Sequence, residues 1–112
     1  MAKSKLASAR EFLRSEKQEI YKRDKGRCIF CGSTNQLTYM HFVARSRGGL
    51  GIVQNGALGC WRCHRALDNP LGKNEVEQSK KMKKMFRKYL EKYYPGFSDE
   101  ERKYRKWNLS KN

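Results

Sequence analysis

The stretch 60-CWRCHRALD-68 decides how the middle of the chain is built. Two cysteines stand three apart, a histidine comes directly after the second, and an aspartate comes four residues later. After Gly59 the run suits one short helix, which Asn69-Pro70 stops. Residues four apart share a helix face, so His64 and Asp68 lie on the same side. Upstream, 28-CIFCG-32 supplies a second CxxC, ending in a turn-forming glycine, with 28 residues between the pairs. The short spacing lets two thiolates reach one ion while nearby backbone N–H groups offset their charge. Two such turns suit a tetrahedral zinc site made by Cys28, Cys31, Cys60 and Cys63.

Two other readings of the cysteines compete. A redox dithiol needs one CxxC, not two. Disulfides belong to an oxidising compartment, and the start MAKSKLASAR carries no secretory apolar region. A reducing cytoplasm is therefore the expected location. With four cysteines as ligands the zinc site is closed, so its expected job is structural: it ties the start of a hairpin to the helix after it.

Working outward, the 112 residues suit one small domain, 38% hydrophobic and 33% charged. A core drawn from so few apolar residues is marginal, which makes a metal staple useful. The net charge of +15 points to a polyanion, nucleic acid before a membrane surface. Solubility is the blander explanation of that charge. No apolar run reaches transmembrane length.

The charge is uneven. Residues 1–27 hold nine Lys/Arg against four acids, and residues 73–112 hold thirteen against six. Residues 28–69 hold four basic residues and one acid, Asp68, with all four cysteines and both histidines. The chain therefore divides into a basic N-terminal helix (1–27), a site-bearing core (28–69) and basic C-terminal helices (70–112).

In the first zone, Ser8 and Glu11 have capping-box spacing, and Phe12, Leu13 and Ile20 mark an apolar face ending before Gly26. In the third, Met82, Met85, Phe86, Tyr89, Leu90 and Tyr93 recur at helical spacing over 75–94, until Pro95-Gly96. That stripe reads as packing. Lys80, Lys81, Lys84, Arg87 and Lys88 lie away from it, either solvated or tracking a phosphate backbone. Ser98 and Glu101 open a last helix running to about Trp107, a residue for packing or base stacking. In the core, 37–43 and 50–54 read as strands joined by RSRGG. Phe30 and Trp61 are expected to cover the zinc.

His41 lies in the first strand, where a packed, hydrogen-bonded histidine is the ordinary reading. His64 is either a zinc ligand, an exposed residue, or free for another role once four cysteines serve the zinc. The order His41, Asn55, His64, set within CIFCG, HFVARSRGG and QNGALGCWRCH, resembles the HNH endonucleases, also called His-Me finger or ββα-metal proteins. It is similar to their zinc-knuckle branch, over about residues 23–69. The resemblance implies an α+β fold, a small zinc-stabilised ββα-metal core flanked by the basic helices. It also implies hydrolysis of DNA phosphodiester bonds to a 5′-phosphate and a 3′-hydroxyl.

By the same resemblance His41 would be the general base, Asn55 would hold the hairpin loop and His41 in orientation, and His64 would bind one divalent cation, Mg²⁺ or Mn²⁺. Small stand-alone members occur in phages and mobile elements, whose other proteins are expected partners beside DNA. One residue departs from the pattern: Met40 stands where the family has Asp, His or Glu as a second metal ligand, and a thioether is a poor ligand for these cations. Asp68 is at an offset where many members place a further ligand; otherwise it ends the helix or pairs with Arg65. Arg45 and Arg47 contact phosphate or solvate the turn. The alternative to an endonuclease is a non-catalytic, zinc-stabilised nucleic-acid-binding module of the same fold.

Overall fold

The computed structural model describes residues 5–104, with only the backbone of 5–7. The order is α1 (Lys5–Arg10), α2 (Arg14–Arg23), β1 (Leu37–His41), β2 (Gly56–Cys60), α3 (Trp61–Asp68) and α4 (Gly72–Tyr93). Single 3-10 turns at Arg45–Arg47 and Val53–Asn55 interrupt the β1–β2 connection. The class is α+β, with one antiparallel two-stranded sheet among the described residues. Its register places Leu37 opposite Cys60, Met40 opposite Ala57 and His41 opposite Gly56. No helix among the described residues is long and apolar enough to cross a membrane.

A two-stranded ribbon is marginal by itself, so both faces must be covered. Side chains alternate along a strand. One face carries Leu37 and Tyr39 against Ile20 of α2, Phe12, Val53 and Leu58. The other carries Met40 and Ala57 against Ala66 and Leu67 of α3 and Met82, Phe86 and Leu90 of α4. Strand β2, GALGC, is buried at every position. Small residues are needed there: a Cβ on Gly59 would collide with the Met40 sulfur, and one on Gly56 with the Phe12 ring.

The second strand therefore differs from the expected 50–54. Small residues have low strand propensity, which disguised residues 56–60. The backbone of 50–55 has no ladder to join, because its hydrogen bonds go to separate segments. Leu50 N–H reaches the Arg102 carbonyl, Gly51 N–H the Ala9 carbonyl, and Val53 N–H a Glu16 carboxylate oxygen. β1 likewise ends at His41, before the expected Val43.

The N-terminal zone forms two helices instead of one. Ser8 lies inside α1, and α2 starts after Leu13, which makes no side-chain cap, so the Ser8/Glu11 box does not form. Gly51 packs directly on the Glu11–Phe12 backbone and breaks the helix there. The break turns Phe12 inward and leaves Leu13 exposed.

α4 starts three residues earlier than expected. It buries Ser79, Met82, Phe86 and Leu90, leaving Met85 and Tyr93 of the stripe exposed. The Ser98/Glu101 box does form: Glu101 N–H donates to Ser98 Oγ, and Ser98 N–H donates to Glu101 Oε1. It opens a turn, not the expected helix. Arg102 points inward, and Lys103 makes an antiparallel bridge with Gly49. Trp107 lies outside the described residues.

Candidate functional site: a cysteine cluster and a basic cleft

The two CxxC turns meet. Cys28 N–H donates to the Ser33 carbonyl and Gly32 N–H to the Cys28 carbonyl, closing the first turn. Gly32 has φ +77°, a conformation for which glycine is suited. Cys60 ends β2, and Cys63 sits in the first turn of α3. All four Sγ atoms lie within 4.8 Å of one another, with Cys31 and Cys60 at 3.6 Å. Tetrahedral ligands at a Zn–S distance of about 2.3 Å stand about 3.8 Å apart, so this donor set fits a zinc ion. Burial pushes the Cys28 thiol up, but the N–H groups of Cys31, Cys60 and Phe30 outweigh it and bring it down to about 7. Cys63 is pushed up, by burial and by its sulfur neighbours. Four crowded thiols oppose one another's ionisation unless a cation compensates. Phe30 packs edge-on to Phe86, and Trp61, 49% exposed, is only partly covered.

On the far side of α3 lies a cleft of about 1090 Å³. His41 lines it from the α2 side of β1, and His64 and Asp68 line it from α3. His41 Nε2 is 2.7 Å from the backbone carbonyl of Arg10. A carbonyl only accepts, so Nε2 carries the hydrogen and Nδ1 keeps its lone pair. The ring also stacks, tilted, on Phe12, with centroids 4.3 Å apart. Burial lowers the His41 pKa; Arg45 and His64 push the same way, against the Arg10 carbonyl and Asp68. The balance favours the neutral imidazole at His41.

His64 is anchored through its other ring nitrogen, Nδ1. Thr38 Oγ1 donates to the Gly59 carbonyl at 2.8 Å, using its single hydrogen. It therefore accepts from His64 Nδ1–H, also at 2.8 Å. That leaves His64 Nε2 facing Asp68 Oδ2 at 2.9 Å. Two electron-rich atoms at that distance need a proton or a metal cation between them. Arg65 pairs with Glu75, leaving Asp68 to His64.

Asn55, fully buried, fastens the loop between the strands. Its Oδ1 accepts from Val43 N–H at 2.7 Å, and its Nδ2 donates to the carbonyls of Leu50 and Val43 at 2.8 and 3.2 Å. Its backbone carbonyl accepts from Phe42 N–H, next to His41. Met40 is 0% exposed and lies in the core over Gly59, not in the cleft. Alternation along β1 turns residue 40 away from the face that carries His41.

Among the described residues, eight lining side chains of the cleft are lysine or arginine and three are acidic. Arg45 and Arg47 line the hairpin side, and Lys84 and Arg87 the α4 side. Lys80, Lys81 and Lys88 do not line it. Lys83, absent from the expected set, does.

Three supports carry no signal in the sequence. Arg102, 2% exposed, donates to the carbonyls of Gln54 and Phe97 and to Asp99, and lies over the Phe42 ring. Arg23 donates to the carbonyls of Val53 and Gly56 and pairs with Asp24, whose carboxylate accepts from Leu58 N–H and Tyr89. Arg10 supplies the carbonyl that orients His41. Two arginines and a carbonyl among so many cations have nothing local to mark these roles. No protein-family model, curated protein or solved structure matches the chain.

Proposed function

We propose that the chain is a metal-dependent DNA endonuclease of the HNH type, with His41 as general base and His64, aided by Asp68, as the divalent-cation site. One observation carries this reading. Each histidine is anchored at one ring nitrogen by its own hydrogen bond, His41 at Nε2 and His64 at Nδ1, and both line one cationic cleft.

His41 Nδ1, with Nε2–H committed to Arg10, is the atom that takes a proton from water. The ring cannot turn freely while it lies on Phe12 and while Asn55 holds the loop that begins beside it. His64 Nε2 and Asp68 Oδ2 fit a small divalent cation: ligands at about 2.1 Å and right angles stand about 3.0 Å apart, close to the 2.9 Å observed. Two protein donors suit Mg²⁺ or Mn²⁺, whose remaining places go to water and phosphate oxygen. Bound there, such a cation would supply charge stabilisation at the scissile phosphate and the leaving oxygen. The cysteine cluster would hold a structural zinc. Arg45, Arg47 and the α4 cations that line the cleft would hold flanking phosphates.

The test is plasmid nicking with Mg²⁺ or Mn²⁺. The wild type should nick supercoiled DNA, and His41→Ala should lose about 10²- to 10⁴-fold in rate. Undiminished nicking by the variant removes His41 from the mechanism. No cleavage of plasmid, linear or branched DNA with either metal turns the reading into that of a binding module. Metal analysis should find one zinc per chain, and a folded zinc-free protein overturns that assignment.

A further inference from the structure

We propose that α4 forms one wall of the DNA groove through Lys83 and Lys84, which hold the phosphodiester backbone beside His41 and His64, while Lys80 and Lys81 of the same helix take no part. The inference rests on reading the partner as DNA and adds the contact surface.

Along the sequence, the lysines of 80-KKMKK-84 are indistinguishable. Packing separates them. Ser79, Met82 and Phe86 face the core, which fixes the rotation of the helix about its axis. Successive positions are about 100° apart, so doublets three residues apart are offset by about 60°. That offset puts Lys83 and Lys84 on the cleft and leaves Lys80 and Lys81 off it. Lys80 is also partly neutralised by Glu77 at 3.5 Å. No carboxylate among the described residues pairs with Lys83 or Lys84, so both ammonium groups keep their charge for a ligand. Arg87, one turn on, is committed to Asp99 at 2.8 Å and stacks on Phe42 at 4.9 Å. It builds the wall and has less charge to offer. Lys17, on α2, also lines the cleft and lies over the Tyr39 ring. Two helices, α2 and α4, therefore bring positive charge to the cleft that holds His41, which suits a ligand with several phosphates.

The experiment compares Lys83→Gln/Lys84→Gln with Lys80→Gln/Lys81→Gln. Each double variant removes two charges from the same helix. Affinity for a duplex of about 20 base pairs is measured from about 50 to 200 mM salt without added divalent cation, and each lost phosphate contact should reduce the log–log salt slope by about one. The expected result is a slope lower by about two for Lys83/Lys84 and unchanged for Lys80/Lys81. Lys83→Arg/Lys84→Arg should keep the wild-type slope, which separates charge from packing. Equal losses in the two glutamine variants, no loss at Lys83/Lys84, or no DNA binding by the wild type overturns the inference. Binding is read without catalysis, so a protein that never cleaves DNA still gives the slope. Cleavage with an unchanged Lys83/Lys84 slope overturns this inference alone.

Discussion

The cysteine end of the β1–β2–α3 unit and its cleft are built on different principles. At the cysteine end, all four donors come from two short turns, and local hydrogen bonds at Cys28 and Gly32 preset the geometry. The cleft is assembled from distant pieces: a carbonyl at residue 10, imidazoles at 41 and 64, a carboxamide at 55 and lysines on α4. Each half of a site made from turns needs only its own chain neighbourhood, and packing has only to bring the two halves together. A site made from five segments exists only once the domain has packed, so its precision depends on the supports behind it.

The sharpest way to break this comparison is to remove the metal. Structural zinc is worth about 10–16 kcal/mol in small domains, against a whole-domain stability of about 5–15 kcal/mol. Chelation, or Cys60→Ser, should therefore abolish cooperative unfolding and take the cleft with it, as read by circular dichroism and thermal melting. A variant that keeps both would make the cysteine end dispensable.

A smaller effect tests Met40. Met40→Asp restores the acid that the resemblance leads one to expect, but the side chain sits in the core among Ala57, Leu67 and Phe86. Burying a carboxylate there should cost about 4 kcal/mol and give no gain in cleavage. Faster nicking by a stably folded Met40→Asp protein would show that residue 40 reaches the cation.

The smallest effect is in the pH profile. Burial lowers the His41 pKa, so its neutral form persists to lower pH than a free imidazole. Activity should be full above the ordinary histidine value of about 6.5 and fall only as pH drops below it. Arg45 contributes to the lowering, so Arg45→Gln should move the acid limb of kcat/KM upward. A limb unmoved, or moved down, would separate Arg45 from His41.

Legibility in the sequence tracked locality. The cysteine cluster was visible from spacing because each pair lies within one turn. The offset of four between His64 and Asp68 was visible because a helix enforces it. The position of β2 was missed because GALGC is selected for its lack of bulk beneath Met40 and Phe12, and that demand comes from other segments. Arg102 was unreadable for the same reason, since its partners at 54 and 97 are defined only after the chain doubles back to Gly49.

The amino-acid sequence by itself determined the four-cysteine cluster, the cationic character and the buried Met82, Phe86 and Leu90 of the α4 stripe, all properties of composition or short-range period. Tertiary structure alone decided the rest. It turned Met40 into the core, anchored the two histidines through different ring nitrogens and divided the α4 lysines into a cleft pair and an outer pair. Each of these depends on which face of an element is buried and on which distant carbonyl or hydroxyl lies opposite. Such pairings arise only when segments far apart in the chain are packed together.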